Sequence, residues 1–170
     1  MNVIPLTSDF KLSVFDCGDK DLNEFLLNDA KHFLAKRIAN TFILDDNGRI
    51  AAYFCLLNDK ISRLEITNSQ WKTIKDSFPD GKKFRSYPSI KIGRFAVSLD
   101  YRGQNIGSEL LSGIKYLLNT ESHRAAFRFL TVDAYLSAID FYRKNGFKEL
   151  TKKDEDEHTR LMFFDMMDVQ

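Results

Sequence analysis

The sequence predicts one domain of the α/β or α+β class, spanning residues 1–170 and built on a mixed sheet. Three observations support this. Short β-rich runs alternate with segments of helical apolar spacing along the chain. Hydrophobic residues make up 44% and charged residues 29%, a balance that fills a core and argues against disorder. No internal repeat, low-complexity tract or linker interrupts the pattern.

Residues 2–6 read as a first strand. Asp19 is placed to cap a helix in which Leu22, Phe25, Leu26, Ala30, Phe33 and Leu34 recur on one face. The runs ANTFILD and RIAAYFCLL follow, joined by DNG, a strong hairpin signal. Residues 59–87 are polar and hold the only tryptophan, Trp71, in a short helix around SQWKTIKDSF, with a turn at PDG. SIKIGRFAVS reads as a strand, and Ile106, Leu110, Leu111, Ile114, Leu117 and Leu118 mark the apolar stripe of the next helix. AFRFLTVDA has the continuous apolar character of a buried strand, and LSAIDFYRKNG is a short helix closed by Gly146. FKEL and TRLMFFDMM form a closing pair of strands around an acidic turn.

Charge and cysteine content narrow the function classes. A net charge of +1 carries no global footprint for nucleic acid. Cys17 and Cys55 make no metal-ligand spacing and are expected as free thiols in a reducing cytoplasm. His32, His123 and His158 show neither metal nor triad spacing. The N-terminus lacks the pattern of a signal peptide, and no apolar run approaches the ~20 residues that span a bilayer.

The stretch YRGQNIGS, residues 101–108, stands where a strand hands over to a helix. Gly103, Asn105 and Gly107 are spaced through it, and Asn is the non-glycine residue that best tolerates a left-handed backbone. Amides of residues 103–108 can therefore converge on an anion at the helix start. The plainer reading is a tight turn with close packing. Neither a Walker A loop nor the dinucleotide fingerprint fits the spacing.

A second motif lies one strand and helix later, in TVDAYLSAIDFYRKNGF. With AVSLDYRGQNIGSELL it resembles the GNAT superfamily of acetyl-CoA-dependent N-acetyltransferases. Arg102 and Gly107 match that family's [Q/R]-x-x-G-x-[G/A] loop, with Asn105 in place of its first glycine. Ala138, Phe141, Tyr142, Gly146 and Phe147 match its A-x-x-F-Y-x-x-x-G-F pattern, and Tyr135 stands where an asparagine is common. The segments FDCGDKDLNEFLLNDA, IGRFAV and TRLMFFDM further resemble the branch containing toxins that acetylate aminoacyl-tRNA.

The resemblance implies a mostly antiparallel sheet flanked by helices and splayed at the cofactor strand. Acetyl-CoA would bind the main chain of Phe95, Ala96 and Val97. Its diphosphate would lie on Arg102, Gly103, Gln104, Asn105, Ile106, Gly107 and Ser108, with Ala138 and Phe141 contributing further contacts. Tyr142 would be the general acid, because a phenol titrating near ~10 keeps its proton at neutral pH and can give it to a departing thiolate. Packed against Ile139 and Phe147, the same ring is equally a core aromatic. Glu65, Asp133 and the acidic run 154–157 are candidate bases by residue type alone. Lys82, Lys83, Arg85, Lys91 and Arg94 make either a basic patch suited to a tRNA acceptor stem or a solvated face. Three functions follow: an N-acetyltransferase of a small-molecule or protein amine, a tRNA-acetylating toxin with an antitoxin partner, or an acyl-CoA-binding protein without chemistry. Family analogy also suggests a homodimer.

Overall fold

A computed structural model describes residues 1–64, 66–75, 84–120, 125–150 and 158–169. Its seven strands form one mostly antiparallel sheet in the order β1-β2-β3-β4-β5-β7-β6, flanked by helices. The strands are β1 (Asn2–Pro5), β2 (Asn40–Asp46), β3 (Arg49–Ser62), β4 (Ser86–Val97), β5 (Phe129–Tyr135), β6 (Lys148–Glu149) and β7 (Thr159–Asp165). The helices are α1 (Lys20–Glu24), α2 (Ala30–Ala35), α3 (Asn68–Lys75), α4 (Ile106–Thr120) and α5 (Ile139–Lys144). The chain packs as two compact units, one from Met1–Leu57 with Ile92–Ile114, the other from Asn58–Lys91 with Lys115–Gln170.

In the first unit, β2 and β3 pair as the predicted antiparallel hairpin. Asn47 and Gly48 both take positive φ, 53° and 86°, the conformation that a two-residue turn needs to match strand twist. Asp19 caps α1 as expected, accepting from the Leu22 amide at 3.0 Å. The helix beyond it differs from the uniform one that the apolar spacing suggested. Residues Phe25–Asp29 form a π-helical turn in which the Ala30 amide reaches back to the Phe25 carbonyl. That wider turn lets Phe25, Leu26 and Ala30 all bury, although residues 25 and 30 are five apart. They pack with Leu6, Phe15, Ile43, Tyr53 and Ala96. Tyr53 is completely buried, stacked on Phe25 and edge-on to Phe15, and its hydroxyl donates to the Leu22 carbonyl at 2.7 Å.

In the second unit, β5 and β7 pair antiparallel from Phe129↔Asp165 to Tyr135↔Thr159, and β6 adds beside β7. Ile61, Trp71, Ile74, Tyr87, Phe129, Leu150 and Phe163 fill its core. Two strand boundaries depart from the sequence reading. β4 starts three residues before SIKIGRFAVS and runs through Pro88, whose carbonyl accepts from the Arg128 amide although its nitrogen donates nothing. β3 continues past Leu57 into Asn58, Asp59 and Lys60, polar residues that read as loop. Asp59 is held there by the Thr131 hydroxyl at 3.0 Å and by Lys91 at 3.5 Å. The expected PDG and acidic turns fall outside the described residues, apart from His158.

Replacing Tyr53 by Phe keeps the ring and removes the hydroxyl's bond to the Leu22 carbonyl, which still accepts from the Phe25 amide. Tyr53→Phe is expected to cost about 0.5–1.5 kcal/mol, read as a lowered urea midpoint with an unchanged m-value.

Candidate active site

The loop between β4 and α4 is shaped by two left-handed residues. Gly103 has φ +76° and Asn105 φ +61°, as the Asn placement suggested. A Cβ built on Gly103 meets nothing within 4 Å, so glycine is required there by conformation and the space above it is open. Gly107 is not left-handed and lies in the first turn of α4.

Asn105 ends the loop as the helix cap, its carbonyl accepting from the Ser108 and Glu109 amides at 3.1 Å each. The Ser108 amide is thereby used, which shortens the expected anion cradle by one residue. Among the described residues, the amides of Gly103, Gln104, Asn105, Ile106 and Gly107 have no acceptor. Five consecutive unpaired donors at the positive end of a 15-residue helix form a site for a multiply charged anion.

Arg102 does a different job from the one its motif position suggests. Its guanidinium donates to the Cys17 carbonyl, tying the loop to the turn before α1. Tyr101 anchors the other side, its hydroxyl donating to Asp46 in the hairpin at 2.8 Å. On the strand entering the loop, Ala96 is buried while Phe95 and Val97 are partly exposed. The Ser98 amide leaves the strand to bond the Ala51 carbonyl at 2.9 Å.

Ala138, Phe141 and Tyr142 all lie in the second unit. Ala138 ends the 3₁₀ turn that leads into α5, and Gly146 closes the helix at φ +83°. Tyr142 is 5% exposed, its ring edge-on to Phe141 at 5.1 Å and to Phe147 at 5.4 Å. The core-aromatic reading thus holds for the ring. Burial pushes the phenol well above its usual range, so Oη keeps its proton throughout the physiological window.

Lys115 is a residue that the sequence reading missed. It sits half-buried on α4, over the faces of Phe164 at 3.9 Å and Phe147 at 5.2 Å. Its ammonium donates to the Asn145 carbonyl, at the C-terminal cap of the helix carrying Tyr142. Burial lowers its pKa. The available signal was a lysine inside the apolar run GIKYLL.

The other titratable candidates are mostly engaged. Asp133 pairs with Lys91 at 2.7 Å. Burial works against the Lys91 cation, yet bonding to Asp133 with Asp59 alongside holds it above its usual range. Arg94 lies over the Phe25 ring at 5.2 Å and within 3.5 Å of Asp21. Lys91 and Arg94 therefore each lie beside a carboxylate. Glu65, Lys82, Lys83, His123 and residues 154–157 fall outside the described residues. Both cysteines are free and buried, with burial raising the thiol of Cys17 and pushing that of Cys55 up to about 11. No group of metal-binding side chains occurs among the described residues. No helix among them is long and apolar enough to cross a membrane.

Residues 37–149 match the acetyltransferase (GNAT) domain family, about two thirds of the chain. The chain is a GNAT acetyltransferase. It thus falls in a class that takes its acetyl group from acetyl-CoA, and the open amides at 103–107 with the space above Gly103 fit that donor's diphosphate. The fold of this acetyltransferase is shared with solved toxins. AtaT complexed with acetyl-methionyl-tRNAfMet is 25% identical, covering 99% of this chain and 96% of that one, with a TM-score of 0.80. A tyrosine-to-phenylalanine mutant of KacT is 24% identical over 99% and 96%, also at 0.80. AtaTR bound with acetyl-CoA is 24% identical over 99% and 95%, at 0.77.

The loop conformation sets a test. Asn105→Gly restores the family's glycine and is expected to keep coenzyme A affinity within about twofold. Asn105→Val must hold a branched side chain at positive φ, costing about 1–2 kcal/mol of stability and weakening coenzyme A binding. Denaturant unfolding and titration calorimetry read both effects.

Proposed function

We propose that the two units act as one catalytic domain that transfers an acetyl group to a primary amine by direct attack, with Tyr142 as general acid. The observation that carries this reading is the run of five unpaired amides at the start of α4 in a GNAT chain. When bound, acetyl-CoA supplies the activated acyl thioester. The residues of the chain bind, orient and exclude water. Amides 103–107 hold the phosphates, and the main chain of Phe95, Ala96 and Val97 aligns the pantetheine arm by strand-like pairing. Ala138 and Phe141 supply further contacts. Fixing the reactants in line supplies several kcal/mol of the barrier.

Tyr142 holds the proton needed by the leaving sulfur. A thiol titrates near ~8.5, and a buried phenol lies above ~10, so the tyrosine is always in the donating form. The elevated pKa makes complete transfer to a free thiolate uphill, which favours donation concerted with carbon–sulfur cleavage. An acyl-cysteine route is disfavoured because neither buried thiol ionises readily near neutral pH. Both being unpaired suits a reducing cytoplasm.

The acceptor we favour is the α-amino group of an aminoacyl-tRNA. The overall likeness to AtaT, solved with acetyl-methionyl-tRNAfMet, supports it, as does the N-terminal segment FDCGDKDLNEFLL. An α-amine titrates near ~7.7–8.0 and is substantially neutral without help, whereas a lysine near ~10.4 requires a base. No free carboxylate base was identified among the candidates within the described residues, which suits the α-amine. An antitoxin partner follows from the same likeness, since AtaT is known bound to the C-terminus of antitoxin AtaR.

Three measurements test this. Tyr142→Phe is expected to lower kcat by about 10²–10⁴-fold with little change in acetyl-CoA affinity. In the wild type, the pH profile should rise with acceptor ionisation and show no fall from phenol ionisation below pH ~10, because burial raises that pKa. Mass spectrometry after incubation with labelled acetyl-CoA and charged tRNA should find the acetyl group on the aminoacyl nitrogen. Label found only on proteins or small amines would refute the tRNA reading and leave acetyl transfer standing.

A further inference from the structure

A groove of about 520 Å³ in the second unit is lined by Arg63, Asn68, Trp71, Lys72, Lys75, Phe84, Arg85 and Tyr87. On α3, positions 68, 71, 72 and 75 fall on one helical face, so Asn68, Trp71, Lys72 and Lys75 form a single stripe. The opposite wall is the segment leading into β4, tied to Arg63 by a bond from the Arg63 amide to the Arg85 carbonyl at 2.9 Å.

The four cations of the groove differ from three other arginines of this unit. Arg128 is paired with Asp165, Arg143 with Asp140 and Glu149, and Arg160 with Glu149. Among the described residues, Arg63, Lys72, Lys75 and Arg85 meet no carboxylate, and none lines the groove. A protein of net charge +1 thus brings four cations together in one concavity with no carboxylate partner among the described residues.

The groove also has an aromatic wall. Trp71 and Tyr87 stack at 5.3 Å and are almost fully buried. Phe84 stands edge-on to Tyr87 at 6.4 Å and is 62% exposed, a large ring presented to solvent on a rigid base. A partner therefore needs negative charge and a planar apolar group together, within a volume suited to one nucleotide and far too small for a duplex. The Asn68 side chain offers a donor and an acceptor for a base edge.

From this juxtaposition of unpaired cations and an exposed ring, we propose that the groove binds single-stranded nucleic acid, with a base on Phe84 and phosphates on Arg63, Lys72, Lys75 and Arg85. An acidic peptide would satisfy the charges and leave the ring unused. The groove shares no residue with the proposed acyl-transfer site, and its affinity does not depend on an acyl group.

Trp71 is the only tryptophan and lines the groove, so its emission reports occupancy directly. The test titrates the wild-type protein with an unstructured adenosine RNA of about 12 nucleotides, an RNA duplex of equal length and a polyglutamate peptide, each at several salt concentrations. The single strand is expected to bind most tightly and change Trp71 emission. Phe84→Ala should weaken it by about 5- to 100-fold, the range for one lost base stack. Lys72→Ala and Arg85→Ala should each lower the slope of log affinity against log salt by about 0.7. Thermal unfolding checks that these surface variants fold, and acetyl transfer to a small amine should be unchanged in all three. Duplex or polyglutamate binding as tightly as the single strand, no effect of Phe84→Ala, or no binding at all would overturn the proposal. Acetyl transfer without oligonucleotide binding would do so too, while leaving the enzymatic reading intact.

Discussion

Among the described residues, five consecutive backbone donors at the head of α4 have no acceptor, and the candidate site is organised around them. A helix start always leaves amides unpaired, but here the preceding loop adds further ones by turning through Gly103 and Asn105 in left-handed conformations. The loop is tied by three contacts: the Arg102 guanidinium on the Cys17 carbonyl, the Tyr101 hydroxyl on Asp46, and the Asn105 carbonyl on the helix. Donor directions are therefore set before any ligand arrives. An anion meets dipoles that need little rearrangement, which is what makes main-chain recognition of phosphate strong.

The proposed general acid on α5 follows the opposite logic. Tyr142 is surrounded by apolar rings, and the low dielectric keeps its proton in place. Lys115 braces that helix from its C-terminal end, with its charge satisfied by the Asn145 carbonyl and two aromatic faces. One unit thus presents polar main chain to a charged ligand, and the other shields a single hydroxyl from ionising.

What could be read from the sequence was local chemistry. The Asp19 cap, the Asn-Gly turn, the closing Gly146 and the tolerance of Asn105 for positive φ each depend on a few neighbouring residues, and each appears where expected. Long-range partners decided what was missed. Asn58–Lys60 read as loop because nothing nearby announces that Thr131 and Lys91 will receive Asp59. The π turn answers to packing around Tyr53. Likewise the motif identified Arg102 but not its bond to Cys17, and Lys91 looked free until Asp133 was placed beside it. The groove on α3 was hidden for the same reason, because its two walls come from segments with no shared periodicity.

The two ties on the loop after β4 span 55 and 85 positions of sequence. Its local bonds, from the Tyr101 amide to the Ser98 carbonyl and from the Arg102 amide to the Leu99 carbonyl, need only neighbouring residues, whereas the ties need the hairpin and the Cys17 turn in place. Closing such long loops costs chain entropy that the contacts have to offset. The proposed coenzyme cradle therefore depends on segments far from it in sequence, so damage to the first hairpin or to the turn before α1 would reach it without touching its own residues.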